Sequence, residues 1–362
     1  MNLTRNACLE ALRGPILVTG HTGFKGTWLT ILLEKIGIEV IGYSLEPEAN
    51  SLYQRAGLAN QIPEFFGDIR DQASFSRFLK AHKPISIIHL AAQPLVLKSY
   101  KAPLETFEVN VIGTAKILEE SFRSDSIQSI VVVTTDKVYE NSNLGRTFIE
   151  TDSLSGKDPY SASKVGTESV VAAWQQIQKI SGGPAVCSVR AGNVIGGGDF
   201  GENRLFPDII RAQILQNKVE IRNMKSTRPW QHALDPLIGY LMVLEKIQTI
   251  GIQESFNFGP TEPSLSVEEA ISVALANWPI EMEFIVSGSQ KQNLESKLLD
   301  LSSKKAIQSL GWTPTWSQTQ AIAKTMNWWE RVLLTKIDSK SAIEDDVDEF
   351  LSLFQSKRVS SE

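Results

Sequence analysis

The chain has 362 residues, of which 42% are hydrophobic and 21% charged, and a formal net charge of -5. That composition supports an ordinary core in one large domain or two moderate ones, and its negative balance gives no general attraction to nucleic acid or to an acidic membrane. No apolar run approaches the ~18–20 residues of a membrane span, and residues 1–14 lack the apolar centre of a signal peptide, so a soluble cytoplasmic protein is expected.

Pro15-Ile16-Leu17-Val18-Thr19 predicts a first strand, followed by Gly20-His21-Thr22-Gly23-Phe24-Lys25-Gly26 and an apolar-periodic helix to about Ile36. Strand, glycine turn and helix together make a phosphate cradle. Glycines permit the tight turn and the close approach of a pyrophosphate, while N–H groups at the helix start bind its charge. The spacing Gly-x-x-Gly-x-x-Gly is shifted from the usual dinucleotide fingerprint. Residues 39–45 read as a second strand. Its tip holds Ser44 and Leu45 where the fingerprint would place an acid for the adenosine ribose, and Glu46 is an approximate substitute. No arginine stands there for a 2′-phosphate, so these residues do not choose between NAD and NADP. Residues 65–70 resemble a third strand, whose Asp68 either reaches an adenine edge or caps the helix around 71–80.

Residues 85–90 form the fourth predicted strand, running into Ala91-Ala92-Gln93, small residues over which a cofactor can lie. His89, inside the apolar run, reads as a core histidine. A helix follows over 103–122, with Phe107, Val111, Leu118 and Phe122 near one buried face. Asn110 in that helix is either a surface residue or a tether near the following strand end.

The stretch 130–164 is the one the others serve. Ile130-Val131-Val132-Val133 is a short β-branched run suited to a central strand, and Thr134-Thr135-Asp136-Lys137 emerge at its carboxyl end, where open α/β sheets bind ligands. Asp158-Pro159 supplies an N-cap and a first-turn proline for a helix that runs to about Ile180. Its first turn, Tyr160-Ser161-Ala162-Ser163-Lys164, places a phenol and an ammonium on one face, where a cation can stabilise a phenolate. Residues 185–190 are a sixth strand. The alternation predicts an α/β fold with a doubly wound parallel sheet over 1–190 (core 14–190), a smaller α/β domain over 191–330 with some chain crossing between them, and a tail over 331–362 read as an acidic helix or loose end. Cys8 and Cys187 have no metal or redox spacing and read as structural thiols, and no metal site is expected.

Past residue 190 a glycine-dense loop, Ala191-Gly192-Asn193-Val194-Ile195-Gly196-Gly197-Gly198-Asp199, precedes Arg204, Arg211, Arg222 and Arg228. Arginine forks suit phosphate, so this region reads as the site of a substrate diphosphate. Arg228-Pro229-Trp230-Gln231-His232 adds an aromatic plate and amides.

The glycine turn, the Thr135 strand end and Tyr160-x-x-x-Lys164 resemble the extended short-chain dehydrogenase/reductase superfamily. Within it, Thr135-Asp136-Lys137-Val138-Tyr139-Glu140-Asn141, Arg190-Ala191-Gly192-Asn193 and Arg228-Pro229-Trp230-Gln231-His232 resemble the nucleotide-sugar 4,6-dehydratases that act on CDP-glucose. The lysine after Asp136 departs from the Asp-Glu pair of the dTDP-glucose branch. The resemblance covers about residues 14–320. It implies a Rossmann-type NAD domain, a nucleotide-sugar domain and a homodimer paired through helices of the first domain. It assigns NAD to Gly20, Thr22, Gly23, Phe24, Lys25, Gly26, Asp68, Ile69, Leu90, Ala91, Ala92 and Gln93, with Tyr160 and Lys164. It assigns the sugar nucleotide to Gln93, Asn110, Asn193, Arg204, Arg228 and His232, and catalysis to Thr135, Asp136, Lys137, Tyr160 and Lys164. In the implied chemistry Tyr160 takes the C4 hydroxyl proton, Thr135 binds that oxygen, and Asp136 protonates the departing C6 hydroxyl. Lys137 removes the C5 proton or, if it stays charged, stabilises the enolate. An epimerase or reductase on the same scaffold needs no Asp136-Lys137 pair, and a cofactor-sensing regulator with a dead site would commonly lack Tyr160 or Lys164.

Overall fold

The structure is a computed structural model that describes residues 9–141, 145–221, 223–286 and 299–359. Cys8 and Arg222 lie outside the described residues. Seven parallel strands form the main sheet: β1 (Ile16–Thr19), β2 (Val40–Ser44), β3 (Glu64–Phe66), β4 (Ser86–His89), β5 (Ser129–Val133), β6 (Ala185–Ala191) and β7 (Ser255–Phe258). Their spatial order is β7-β6-β5-β4-β1-β2-β3. The order reverses between β1 and β4, the crevice where open sheets of this kind take a dinucleotide.

The apolar runs are buried on both sheet faces because successive side chains point to opposite sides. Ile16, Val18, Val131 and Val133 enter one core cluster, and Leu17, Ile130 and Val132 the other. On the first face lie α1 (Phe24–Lys35) and, from far along the chain, later helices rich in tryptophan. The second face is covered by α2 (Gln72–His82), capped by Asp71 rather than Asp68, and by a rod that begins with α3 (Val96–Lys101) and α4 (Pro103–Phe107) and continues into α5 (Thr114–Phe122). The helix predicted over 103–122 is interrupted by a π turn, Glu108–Gly113. There the Asn110 carbonyl accepts both the Thr114 and Thr167 hydroxyls, at 2.7 and 2.8 Å. Phe107, expected on the core face, is 39% exposed. The wider turn shifts the buried stripe to Thr106, Asn110 and Gly113.

The long helix α6 (Pro159–Ser181) is capped by Asp158 and stopped by Gly182 at φ 78°. Beyond β6 the chain returns to the sheet. The helix α7 (Leu205–Ile214) lies in the outer part, but α8 (Leu234–Ile250) packs on β5 and β6, and β7 covers the outer edge of β6, which is buried throughout. Short two-stranded pairs, such as Val194–Ile195 with Gln231–His232, tie the outer segment to the strand tips. The acidic end of the chain is a docked helix, not a loose tail. After α9 (Gln318–Leu333), α10 (Ser339–Val359) lies against α1, with Ile343, Val347 and Phe350 fully buried. Most of its acids face outward and pair, as Asp348 does with Lys35 at 2.8 Å, while Asp346 is buried beneath Arg331.

Candidate active site

The carboxyl ends of β4, β5 and β6 gather the polar side chains. Thr135 leaves β5 in extended backbone and caps a single 3₁₀ turn, Asp136–Val138. Its hydroxyl lies 2.9 Å from Asp136 Oδ1 and hydrogen-bonds the Tyr160 phenol. Tyr160 arrives on the first turn of α6, its backbone N–H donating to Ser99 Oγ at 3.1 Å. Burial pushes the phenol up to about 12, against the lowering effects of the Thr135 hydroxyl and of the Arg204 charge. Lys164, one turn on, donates to the Val133 carbonyl at 3.1 Å, and desolvation brings its ammonium down to about 8 despite Glu168. The sequence pairs Lys164 with the phenol; in the structure its hydrogen bond goes to the strand, and Arg204 supplies the charge that eases phenol ionisation. Asp136 is buried, and desolvation raises its carboxyl while Lys137, Thr135 and Arg228 pull the other way. A carboxyl so placed is suited to hold and give a proton. Gly192 sits beside it: a Cβ there would be 3.2 Å from Asp136 Oδ2.

The glycine turn has the shape of a dinucleotide cradle. Gly20 (φ 76°) passes so close to β4 that a Cβ would be 2.8 Å from Ala91 N, and a Cβ on Gly26 would lie 2.1 Å from the Gly20 carbonyl. Gly23 caps α1 with no side chain to offer, and no acid occupies the first turn, so the positive end of the helix is left for an anion. These features fit a bound pyrophosphate. Thr22 bonds Ser44 Oγ at 2.7 Å and the Leu45 carbonyl at 3.2 Å, which occupies the β2 tip. Asp68 is held by Arg70 at 2.6 Å, and Ile69 packs against Gly113. Lys25 projects toward Asp136, Lys164 and Arg204, and desolvation together with the two cations brings it down to about 7.

Arg204 is paired with Asp199 at 2.9 Å and reaches Tyr160 and Lys25 by its field. Arg228 lies near Asp136, and half-buried Asn193 precedes Val194 in the glycine-dense loop. Three of the expected substrate contacts are instead spent inside the protein. Asn110 accepts from Gln93 N at 2.8 Å and donates to the Gln93 carbonyl and to Ser163. The Gln93 side chain closes on Leu95 and Thr106. Together they pin the end of β4 to α6. His232 is fully buried between Trp28 and Trp316, and desolvation lowers it to about 3. The resemblance places it in the site; the parallel pairing with Val194–Ile195 turns it into the core. The neighbouring glycines are there for the same aromatic packing, a Cβ on Gly197 falling 1.9 Å from Trp328.

Arg211 pairs with Asp208 at 2.5 Å on the outer helix. His89 is a satisfied core histidine, bonded to Thr19 and Thr114. Cys187 is buried, with its thiol pushed up to about 12 by desolvation. Among the described residues no group of His, Cys, Asp and Glu has the arrangement of a metal site, and no helix is long and apolar enough to cross a membrane. Sequence reasoning missed the buried pair Glu168–Arg190 behind Thr135, joined at 2.8 Å. Two signals could have found it: Glu168 stands four residues after Lys164, and Arg190 is a charge inside an apolar strand.

The model of the NAD dependent epimerase/dehydratase family matches residues 16–259. The chain is 38% identical over 342 residues to a CDP-glucose 4,6-dehydratase of Salmonella typhimurium, covering 91% of this chain and 95% of that one. It is 28% identical to a dTDP-glucose 4,6-dehydratase of Xanthomonas campestris, covering 86% and 92%. In three dimensions it is similar to a UDP-glucose 4-epimerase of Stenotrophomonas maltophila with bound NAD, at a TM-score of 0.77 and 19% identity, over 90% of this chain and 100% of that one. A dTDP-glucose 4,6-dehydratase of Streptomyces venezuelae superimposes at a TM-score of 0.75 with 23% identity, over 87% and 96%. With its switch-point cradle and its threonine, tyrosine and lysine at one sheet edge, the chain belongs to the NAD dependent epimerase/dehydratase family.

Proposed function

We propose that this chain is a CDP-glucose 4,6-dehydratase, converting CDP-D-glucose to CDP-4-dehydro-6-deoxy-D-glucose and water with NAD as its resident dinucleotide. The observation that carries the reading is the buried Asp136 beside Thr135, with Lys137 next to it, at the same strand end as Tyr160 and Lys164. Exchange of hydride at one carbon needs only the last two and the threonine. An acid and an amine next to that threonine are what loss of water requires. The identity to the Salmonella enzyme supports cytidine as the base.

The backbone of Gly20, Gly23, Phe24, Lys25 and Gly26 would hold the pyrophosphate, with Thr22 beside it. Asp68 and Ile69 would meet the adenosine end, Leu90, Ala91 and Ala92 would lie under the chain of the cofactor, and Tyr160 and Lys164 would meet its nicotinamide ribose. When bound, NAD supplies a reversible hydride store, accepting hydride from sugar C4 and returning it to C6. Tyr160 takes the proton from the C4 hydroxyl as that carbon becomes a ketone, and Thr135 hydrogen-bonds the same oxygen. The ketone acidifies C5–H, and Lys137 takes that proton and returns one to C5 when C6 is reduced. Asp136 gives its proton to the C6 hydroxyl, which leaves as water. Arg204, Arg228 and Asn193 bind the sugar nucleotide on the far side of the cleft.

The working unit on this reading is a cytoplasmic homodimer. Leu104, 71% exposed, and Ile112, 50% exposed, stand with Leu97, Tyr100 and Phe107 on one stretch of helices, an apolar surface suited to a second copy.

Purified protein incubated separately with CDP-, dTDP-, UDP- and GDP-glucose should form a 4-keto product fastest from CDP-glucose. Equal or better turnover of dTDP-glucose refutes the assignment of the base. Deuterium placed at C4 should appear on the new methyl group; its absence there, or consumption of NAD mole for mole, refutes dehydration by internal hydride return.

A further inference from the structure

The short turn that carries Asp136 and Lys137 is weakly held by its own bonds. Val138 N to the Thr135 carbonyl, Tyr139 N to the Asp136 carbonyl and Lys137 N to Thr135 Oγ1 are each 3.4 Å, beyond the usual ~2.7–3.2 Å range of an N–H···O bond. A loop steadies its far side, Ser155 N donating to the Val138 carbonyl and Glu140 N to the Ser153 carbonyl at 2.9 Å. The residues that flank the reacting triplet are gripped from behind. Thr134 Oγ1 donates to Glu168 Oε1 at 2.5 Å. Arg190 grips the same carboxylate with two parallel bonds of 2.8 Å, and Ser188 adds a third donor at 2.8 Å. The remaining arm of the fork, Nη1, donates to Tyr139 Oη at 2.8 Å and to the Glu150 carbonyl at 3.1 Å. The Tyr139 hydroxyl in turn donates to Asn257 Oδ1 at 2.7 Å on β7.

We infer that Glu168 and Arg190 form a positioning pair that brackets Thr135-Asp136-Lys137, Glu168 fixing the start of the triplet through Thr134 and Arg190 fixing its end through Tyr139. Three strand ends and α6 meet in this pair. Glu168 stands one helical turn beyond Lys164, so the element that sets the phenol and the ammonium also sets the acid and the amine. The pair is 4% and 5% exposed. Apolar residues of the same volume often hold a fold as well as a buried ion pair does, so cohesion alone does not account for it. What an apolar pair cannot do is hold two polar neighbours, five positions apart in sequence, at defined points of one plane.

The inference rests on the dehydratase reading, and the test separates the two. Removing Glu168 or Arg190 outright would strand a buried charge, so the informative variants are Thr134→Val and Tyr139→Phe, which keep the ion pair and remove one hydroxyl each. With saturating CDP-glucose, each should lower kcat by about ten- to a hundredfold, the scale of a misplacement near 1 Å, while KM stays within about twofold. Thr134→Ser should restore most of the loss. In Tyr139→Phe, incorporation of solvent deuterium at C5 should fall further than oxidation at C4, because the end of the triplet carries the amine. If both variants keep kcat within about twofold of the parent enzyme, or if the loss follows the folded fraction seen by circular dichroism, the bracket is refuted. Parent enzyme that dehydrates none of the four nucleotide sugars refutes the dehydratase reading, and the bracket with it.

Discussion

The cost of ionising Tyr160 sets a demand that Arg204 helps to meet, and the exchange Arg204→Gln tests it. Burial puts the phenol at about 12. At a working pH near 8 that leaves about four units to cover even with Arg204 in place, on the order of 5 kcal/mol at ~1.36 kcal/mol each. The Thr135 hydroxyl and the Arg204 guanidinium already work against burial within that value. An opposite charge a few ångström away shifts an ionisation by about 1–3 units. The Arg204 side chain is 38% exposed, so solvent screening puts its effect at the low end, about one unit. On the proposed mechanism the phenolate is the working form, so loss of the cation must move the acid limb of activity upward. The rate of C4 oxidation, followed by rapid mixing with saturating CDP-glucose across pH, should therefore show an acid limb about one pH unit higher in Arg204→Gln, with about tenfold less activity below it. Arg204→Lys keeps the charge and should return the limb toward its original place. If Arg204→Gln raises KM and leaves the limb where it was, Arg204 binds substrate only and the electrostatic reasoning is wrong.

Other outcomes follow from the same geometry. Asp136→Asn should slow loss of water by at least about tenfold while sparing C4 oxidation, and Lys137→Met should spare that oxidation but block exchange of the C5 proton with solvent; normal exchange in the latter removes the base role. Gly26→Ala would place a Cβ 2.1 Å from the Gly20 carbonyl and 2.6 Å from His21 Cα, where about 3.5 Å is needed. The turn must open by more than about 1 Å, and NAD affinity measured by calorimetry should fall about a hundredfold; unchanged affinity would mean that the turn is not the cradle. Asp235 is fully buried, its Oδ1 accepting from Thr315 N at 2.6 Å, and desolvation raises its carboxyl to about 7. A group raised in the folded state stabilises most below its unfolded value, and that contribution drains away between about pH 4 and pH 7, on the order of 4 kcal/mol in all. Asp235→Asn should therefore melt higher than the parent at pH 8 and match it near pH 4, whereas an equal gap at both values would contradict the sign.

How much of this was legible in the chain differs from residue to residue. Five of the seven strands were readable as short β-branched or apolar runs, because a strand buried on both faces leaves a mark in composition that no partner can alter; the third, expected over 65–70, is the half-exposed edge strand Glu64–Phe66, and residues 67–70 turn away from the sheet. The glycine turn was readable for a related reason, since Gly20 and Gly26 meet backbone where a side chain would have to go. Asp158 and Pro159 announced α6 through local capping chemistry. The seventh strand was not legible. Residues 255–258 resemble any short apolar run, and only the open edge of β6 gives them a place in the sheet.

The sequence by itself determined which chemical groups could react: Thr135, Asp136, Lys137, Tyr160 and Lys164 lie within 30 residues, on one strand end and one helix start of a kind that an open α/β sheet brings to its carboxyl side. Tertiary structure alone decided what surrounds them. Asn110, Gln93 and His232 were plausible contacts by residue type, yet long-range hydrogen bonds and aromatic packing spent them elsewhere. Arg204 comes from the outer elements and Lys25 from the first turn of α1, segments far apart in sequence, and their charge acts on the cleft through space rather than along the chain. Solvation and field depend on every neighbour within several ångström, and a linear order of residues does not contain that distance.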